Sequence, residues 1–319
     1  MAGVGIAIAL AYRYAWIPAD WEFGLGRASE IFDLPQYSVG SWFSGWTTGD
    51  GQAFAVIATD PLGLDQGWRL GYPVYRYSRA GFGWLAWIAS LGRAEWVPYG
   101  LALVGSVALL LSLWLAYRLR PTLGRKAWII FFNPALLLAF ARDTSEHVGL
   151  VALTWAIATG HIWVSAALGM IRPSFLVALV GRWKQVVVGG LAAIGLTTMW
   201  LFRFGFNPDE FGGAFDWPLV GYLEVPTLQS TALILFAILT IGRGAMTRQL
   251  GWVASGVLVL ILSAAVLEDP TNSWRAAGFL FIIWAFGPGY NPASWRELAT
   301  SDNTSDSSSS DQTGRSSST

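Results

Sequence analysis

The sequence predicts an all-α, polytopic integral membrane protein with about ten transmembrane helices. Three observations predict it. Of 319 residues, 54% are hydrophobic and 13% are charged, about half the charge of a soluble domain. Apolar runs long enough to cross a bilayer recur along the chain, at about 20 residues per hydrocarbon core. Tryptophan occurs 19 times, and indoles settle at membrane–water interfaces.

The same composition excludes several function classes. The 20 basic and 20 acidic residues cancel to a net charge of zero, which argues against a basic nucleic-acid binder. There is no cysteine, so disulfides, thiolate metal sites and a Cys nucleophile are absent. With only 2 histidines, a zinc site or a Ser-His-Asp triad is poorly supplied. No metal site is expected.

The elements follow in order. Residues 2–17 are apolar but lack a basic leading region and a convincing cleavage site. They read as a first span with Arg13 snorkelling. Residues 18–95 form a first external loop, polar and aromatic at first. It ends in a juxtamembrane helix over 80–92, too short to cross. Residues 96–117 are a full span, and 127–141, 147–160, 161–172 and 173–182 are a dense run of short apolar pieces. Several of these reach only roughly 15–24 Å as helix, so they sit among other helices or re-enter. Further spans are expected at 185–203, 228–242, 250–267 and 275–288, with a second external loop at 204–227. The transmembrane domain occupies 1–290. The tail, 291–319, ends in a Ser/Asp-rich stretch with little to bury against the cost of ordering, so a disordered cytoplasmic tail is expected.

Basic residues set the orientation. Arg118, Arg120, Arg125 and Lys126 form the densest basic loop, followed by Arg182 with Lys184 and Arg243 with Arg248. All three clusters fall in the cytoplasm if 80–92 does not cross. Both termini are then cytoplasmic. Loop 204–227 carries Asp209, Glu210, Asp216 and Glu224 without Lys or Arg, which suits the outside.

Ionisable groups near the membrane are costly and are functional candidates by default. The external side gathers Asp50, Arg69, Arg76, Arg79, Arg142, Asp143, Glu146, His147 and Arg172. Guanidinium groups hold phosphate through paired hydrogen bonds. A carboxylate in a low-dielectric pocket serves as a general base. Plainer readings stand beside these. Asp50-Gly51 is a turn signal. Asp143 and Glu146 have the spacing of a capping box. Arg76, Arg79 and Arg172 suit interfacial anchoring, and His147 suits a helix start.

Four motifs occur in a fixed order. They are D-G-x-x-F-x-x-I-A at 50–58, an Arg79-led LAWIAS piece ending at 90, F-N-P-A-L-L-L at 132–138 running into R-D-x-x-E at 142–146, and G-x-x-W-x-x-A-A-L-G-x-x-R-P at 160–173. Over about residues 40–185 this order resembles the GT-C superfamily of polyprenol-linked membrane glycosyltransferases. It is most like the mannosyltransferase-like members that build cell-surface glycopolymers. The resemblance implies inverting sugar transfer from a polyprenyl-phosphate donor to a glycan or lipid acceptor on the extracytoplasmic face. It makes Asp50 the general base. It makes Arg142, Arg172, Arg79 and Arg76 the donor-phosphate ligands, with Asp143 and Glu146 as supporting acids. Trp42, Trp46 and Trp68, in the Trp-rich external loop, are candidates for stacking on sugar rings. Departures from the family pattern are Phe54 where relatives have Tyr, and Gly51 where many carry a second acid. The missing acid leaves divalent-cation assistance without support. Two other readings remain open: a transporter or flippase for a lipid or solute, and a catalytically inactive GT-C-like scaffold working with a partner subunit.

The cysteine-free background makes the orientation directly measurable. A single cysteine introduced as Glu224→Cys is expected to react with an impermeant maleimide added to intact cells. One introduced as Arg120→Cys is expected to react only after permeabilisation.

Overall fold

The computed structural model describes residues 50–65, 67, 70, 72–207, 218–268, 270–293 and 295. The expected first span at 2–17, with Arg13, lies outside them, as do Trp42, Trp46, Trp68, Arg69, Asp209, Glu210, Asp216 and nearly all of the tail.

Among the described residues every regular element is helical. Helix α1 (Asp50–Thr59) is followed by α2 (Pro73–Tyr77) and α3 (Gly81–Ala89), a short helix where one is expected within 80–92. Helix α4 (Val97–Leu123) is the longest. Three shorter helices follow: α5 (Trp128–Phe131), α6 (Pro134–Arg142) and α7 (Glu146–Thr159). Next are α8 (Ile162–Ile171), a 3-10 segment (Pro173–Leu179) and α9 (Trp183–Phe204). The chain ends with α10 (Val220–Glu224), α11 (Leu228–Met246), α12 (Leu250–Leu260), α13 (Ala264–Leu267) and α14 (Pro270–Phe286).

Three of these runs are long and apolar enough to cross a membrane: Ala94–Phe131, Trp183–Phe204 and Leu228–Met246. Their exposed side chains say what surrounds them. On α4, Leu103, Val107, Leu110 and Trp114 are exposed at alternating four- and three-residue spacing, which is one helix face. On α9, Val187, Leu191 and Ile194 repeat the pattern. Apolar stripes of this kind are penalised in water and suit lipid.

The remaining helices are shorter. Helix α7 has 14 residues and α8 has 10, or about 21 and 15 Å at 1.5 Å per residue. Neither spans about 30 Å of hydrocarbon alone. The apolar run at 250–267 is also divided, because α12 ends at Leu260 and α13 begins at Ala264.

Two cores hold the molecule together. The larger gathers α4, α6, α7, the 3-10 segment, α11, α12 and α14 around side chains such as Phe131, Phe175 and Phe279. The smaller is built mainly from α1, α2 and α3, with contributions from α4 and α9. Residues Ala53–Ala58 of α1 are all buried there, with Tyr77, Phe82, Leu101 and Trp200. Phe82 meets Phe54 edge-on at 5.2 Å and His147 edge-on at 5.0 Å. One aromatic ring thus ties α1 and α3 to the start of α7. The far end of α9 closes this core, with Trp200 and Phe204 against Tyr77.

Asp60 shapes the loop between α1 and α2. Its carboxylate accepts from the backbone N–H groups of Leu64, Asp65 and Gly67 at 2.8, 2.9 and 3.0 Å. The Tyr77 hydroxyl donates to the Asp60 carbonyl at 2.7 Å. Burial pushes the Tyr77 hydroxyl pKa well above its ordinary value, and the nearby Asp60 charge adds to this.

Asn133 joins distant helices. It is the N-cap of α6, where its side chain accepts from the Ala135 N–H at 3.0 Å. Its amide donates to the Gly278 carbonyl of α14 at 2.9 Å. Pro134 then occupies the first helical position, which needs no N–H donor. Asn133→Ala removes both bonds and leaves buried groups unsatisfied, so it is expected to cost about 2 kcal/mol. Thermal unfolding in detergent checks this, and an unchanged midpoint would count against the joint.

Candidate functional site: an arginine-lined cavity

The chemistry gathers where α6 gives way to α7. The segment from Arg142 to His147 is buried throughout, with Asp143 1%, Glu146 3% and His147 0% exposed. Six consecutive polar residues inside an apolar bundle carry a large desolvation cost. The expected capping box is not formed. Asp143 takes the left-handed conformation (φ 51°) as the C-cap of α6, and α7 begins with Ser145 as N-cap and no side-chain cap.

The turn reading of Asp50-Gly51 also gives way. Asp50 is the first residue of α1 and Gly51 the second. A Cβ on Gly51 would lie 2.3 Å from the Arg142 carbonyl oxygen. Glycine is required because the two backbones touch. The start of α1 is therefore seated directly on the Arg142–Asp143 turn.

Glu146 leads to the cavity. It pairs with Arg172 at 3.0 Å and stands 4.0 Å from Arg275. Gly149 lies one turn further along α7, and a Cβ there would sit 3.0 Å from the Arg172 Cβ. The missing side chain lets Arg172 approach. Arg172 is held at a break, as the C-cap of α8 immediately before Pro173. Arg275 also donates to the Asn272 side chain.

These groups line a cavity of about 560 Å³. Its described polar wall includes Arg79, Arg172, Arg275, Glu146 and Asn272. Arg79 lies 4.1 Å over the Tyr75 ring. The rest of the lining is largely apolar and includes Val177, Leu258, Val259, Leu262, Val266 and Phe279. Among the described lining residues, three guanidinium groups face one carboxylate. Such a surface suits an anion, and phosphate above all, because paired N–H groups match its oxygens.

The predicted candidates therefore divide. Arg79, Glu146 and Arg172 share the cavity. Arg142 and Asp143 are buried beside the start of α1 and do not line it. Arg76 is half-buried and lies 5.8 Å from the Tyr75 ring. Asp50 is placed only by its backbone. Trp46 and Trp68 lie outside the described residues. Sequence reasoning missed Arg275 and Asn272. The available signal was an arginine in SWRAAGF, at the opening of an apolar run on the same side as Arg172. Among the described residues no group of three or more metal-ligating side chains assembles.

No family model matches the chain, and no curated protein or solved structure matches it either.

The Glu146 pair is open to a double-mutant cycle. Glu146→Ala is expected to cost about 3 kcal/mol, because it leaves buried guanidinium charge uncompensated. Adding Arg172→Ala is expected to recover part of that loss. Strictly additive losses in thermal unfolding would show that the two side chains are not coupled.

Proposed function

We propose that this protein is a multi-pass membrane glycosyltransferase of GT-C type. It transfers a sugar, mannose or a similar hexose, from a polyprenyl-phosphate donor to a cell-envelope glycan or glycolipid acceptor. The observation that carries the reading is the cavity, whose described lining combines three arginines with apolar side chains suited to an isoprenoid chain. The order of motifs between 50 and 173 supports it independently. In this reading the chain crosses the membrane about ten times, with both termini cytoplasmic and the cavity open to the extracytoplasmic side.

The reaction is an inverting displacement. The acceptor hydroxyl oxygen attacks the sugar C1 and forms the new glycosidic bond. The bond from C1 to the phosphate oxygen breaks, and polyprenyl phosphate departs with the electron pair. Asp50 takes the hydroxyl proton as general base, an effect typically worth 10²–10⁴-fold. Arg172, Arg275 and Arg79 stabilise the charge growing on the leaving phosphate. Glu146 is a positioning residue, setting the direction of Arg172 and Arg275. Arg142, Asp143 and Arg76 support the site from outside the cavity. The seat of Gly51 on the Arg142 carbonyl fixes where Asp50 enters the bundle. Trp46 and Trp68 are the sugar-stacking candidates.

A second reading, transport of a lipid phosphate, draws on one observation. The cavity is lined at helix breaks, by Arg172–Pro173 and by Leu262 between α12 and α13. Broken helices line substrate paths in transporters.

One experiment separates the readings. The full chain is reconstituted with labelled polyprenyl-phosphate hexoses and a crude envelope acceptor. Sugar transfer is expected, falling by about 100-fold or more in Asp50→Asn. Arg172→Gln is expected to lower kcat more than it raises KM. Equal turnover in wild type and Asp50→Asn would remove Asp50 from the mechanism. Movement of the intact donor across the bilayer without sugar release would favour transport.

A further inference from the structure

A second cavity, of about 360 Å³, is lined by a different set of residues. Three elements wall both cavities. The 3-10 segment contributes Val177 to the first and Ala178 to the second. Helix α12 contributes Leu258 to the first and Trp252 to the second, roughly 9 Å apart along the helix. Helix α14 contributes Phe279 to the first and Ile283 to the second.

The second cavity has its own electrostatics. Arg182 and Arg248 line it, and no carboxylate does among the described lining residues. Arg182 donates one N–H to the Ile157 carbonyl at 2.9 Å, at the end of α7. A guanidinium carries five such donors, so this bond leaves most of the fork to a side chain on the cavity wall. Arg248 is exposed and is set at the rim by a left-handed backbone, with φ 56°. A non-glycine residue pays strain to hold that conformation. Gly181, Gly287 and Gly289 complete the wall, and a Cβ on any of them would meet nothing within 4 Å. The first turn of α12 also opens here, through Gln249, Leu250 and Gly251, with no side chain capping it. Burial holds the Arg182 guanidinium below its ordinary pKa, while the Tyr290 charge works in the opposite sense. An anion in the cavity would reverse the effect of burial.

We infer that this cavity is a phosphate-class anion site distinct from the arginine-lined cavity, formed by Arg182 and Arg248. Its occupant is the phosphodiester headgroup of an anionic membrane lipid or a free phosphate. Position favours the lipid. Arg182 and Arg248 belong to the basic clusters assigned to the cytoplasmic side. Basic pockets between helices on that side take anionic headgroups. This placement rests on the topology proposed above; the presence of an anion site does not.

The test uses the full chain in phosphatidylcholine nanodiscs, without any sugar donor, so its result is independent of glycosyl transfer. Phosphatidylglycerol is titrated in one arm and inorganic phosphate in the other. Thermal unfolding and native mass spectrometry are the readouts. For a lipid site, phosphatidylglycerol raises the midpoint and one lipid is retained per chain. For a free-phosphate site, inorganic phosphate alone gives the shift. In either case Arg248→Glu abolishes the response, while Arg125→Gln, exposed and lining neither cavity, keeps it. Arg182→Gln, which retains a donor for the Ile157 carbonyl, weakens the response several-fold. No response in either arm, or an unchanged response in Arg248→Glu, overturns the inference.

Discussion

Glu146 between Arg172 and Arg275 is the contact on which the rest of the polar interior depends. Moving each ion out of water costs several kcal/mol even after relaxation. The contacts at 3.0 and 4.0 Å offset part of that cost. They also fix three helices relative to one another, since Glu146 opens α7, Arg172 closes α8 and Arg275 sits in the second turn of α14. Gly149 makes the closest of these approaches possible. Among the described lining residues arginine outnumbers carboxylate, and the proposed anion binding rests on that imbalance.

A polar layer continues from this cluster to the start of α1. Glu146 is four residues from Arg142, and the Arg142 carbonyl is the surface on which Gly51 rests. His147, one residue past Glu146, is held edge-on by Phe82, which also holds Phe54. Movement of α1 is thereby coupled to the segment that carries Glu146. In the proposed reaction this coupling holds the backbone of the base and the phosphate ligands in one frame. Placement of this kind is what catalysis by orientation requires.

Much of the fold was legible because apolar run length is a strong signal. The three long apolar runs, the short helix over 81–89 and the short pieces after 127 all follow from it. What escaped was governed by tertiary contact. The division of 250–267 into α12 and α13 has no proline or glycine at 261–263 to mark it. Asp143 and Glu146 have capping-box spacing, yet the left-handed Asp143 ends one helix instead of starting the next. Asp50-Gly51 has the composition of a turn, yet the glycine serves a backbone contact with a residue about ninety positions away. At the candidate site, Arg79, Glu146 and Arg172 were found because charges near an apolar run stand out. Arg275 was passed over because a single arginine at the mouth of a span looks like an interfacial anchor. Arg142 and Arg76 were grouped with the others by side of membrane, and side of membrane does not specify which cavity a residue lines.

The central claim is that the imbalance of arginine over carboxylate builds a phosphate seat beside an isoprenoid wall. The most direct measurement is an experimental density map of the full chain with a short-chain polyprenyl monophosphate. The account expects the phosphate in hydrogen-bond contact with Arg172 and Arg275, Glu146 still between them, and the isoprenoid along Leu258, Leu262 and Phe279. A phosphate bound elsewhere while this cavity remains empty would contradict it.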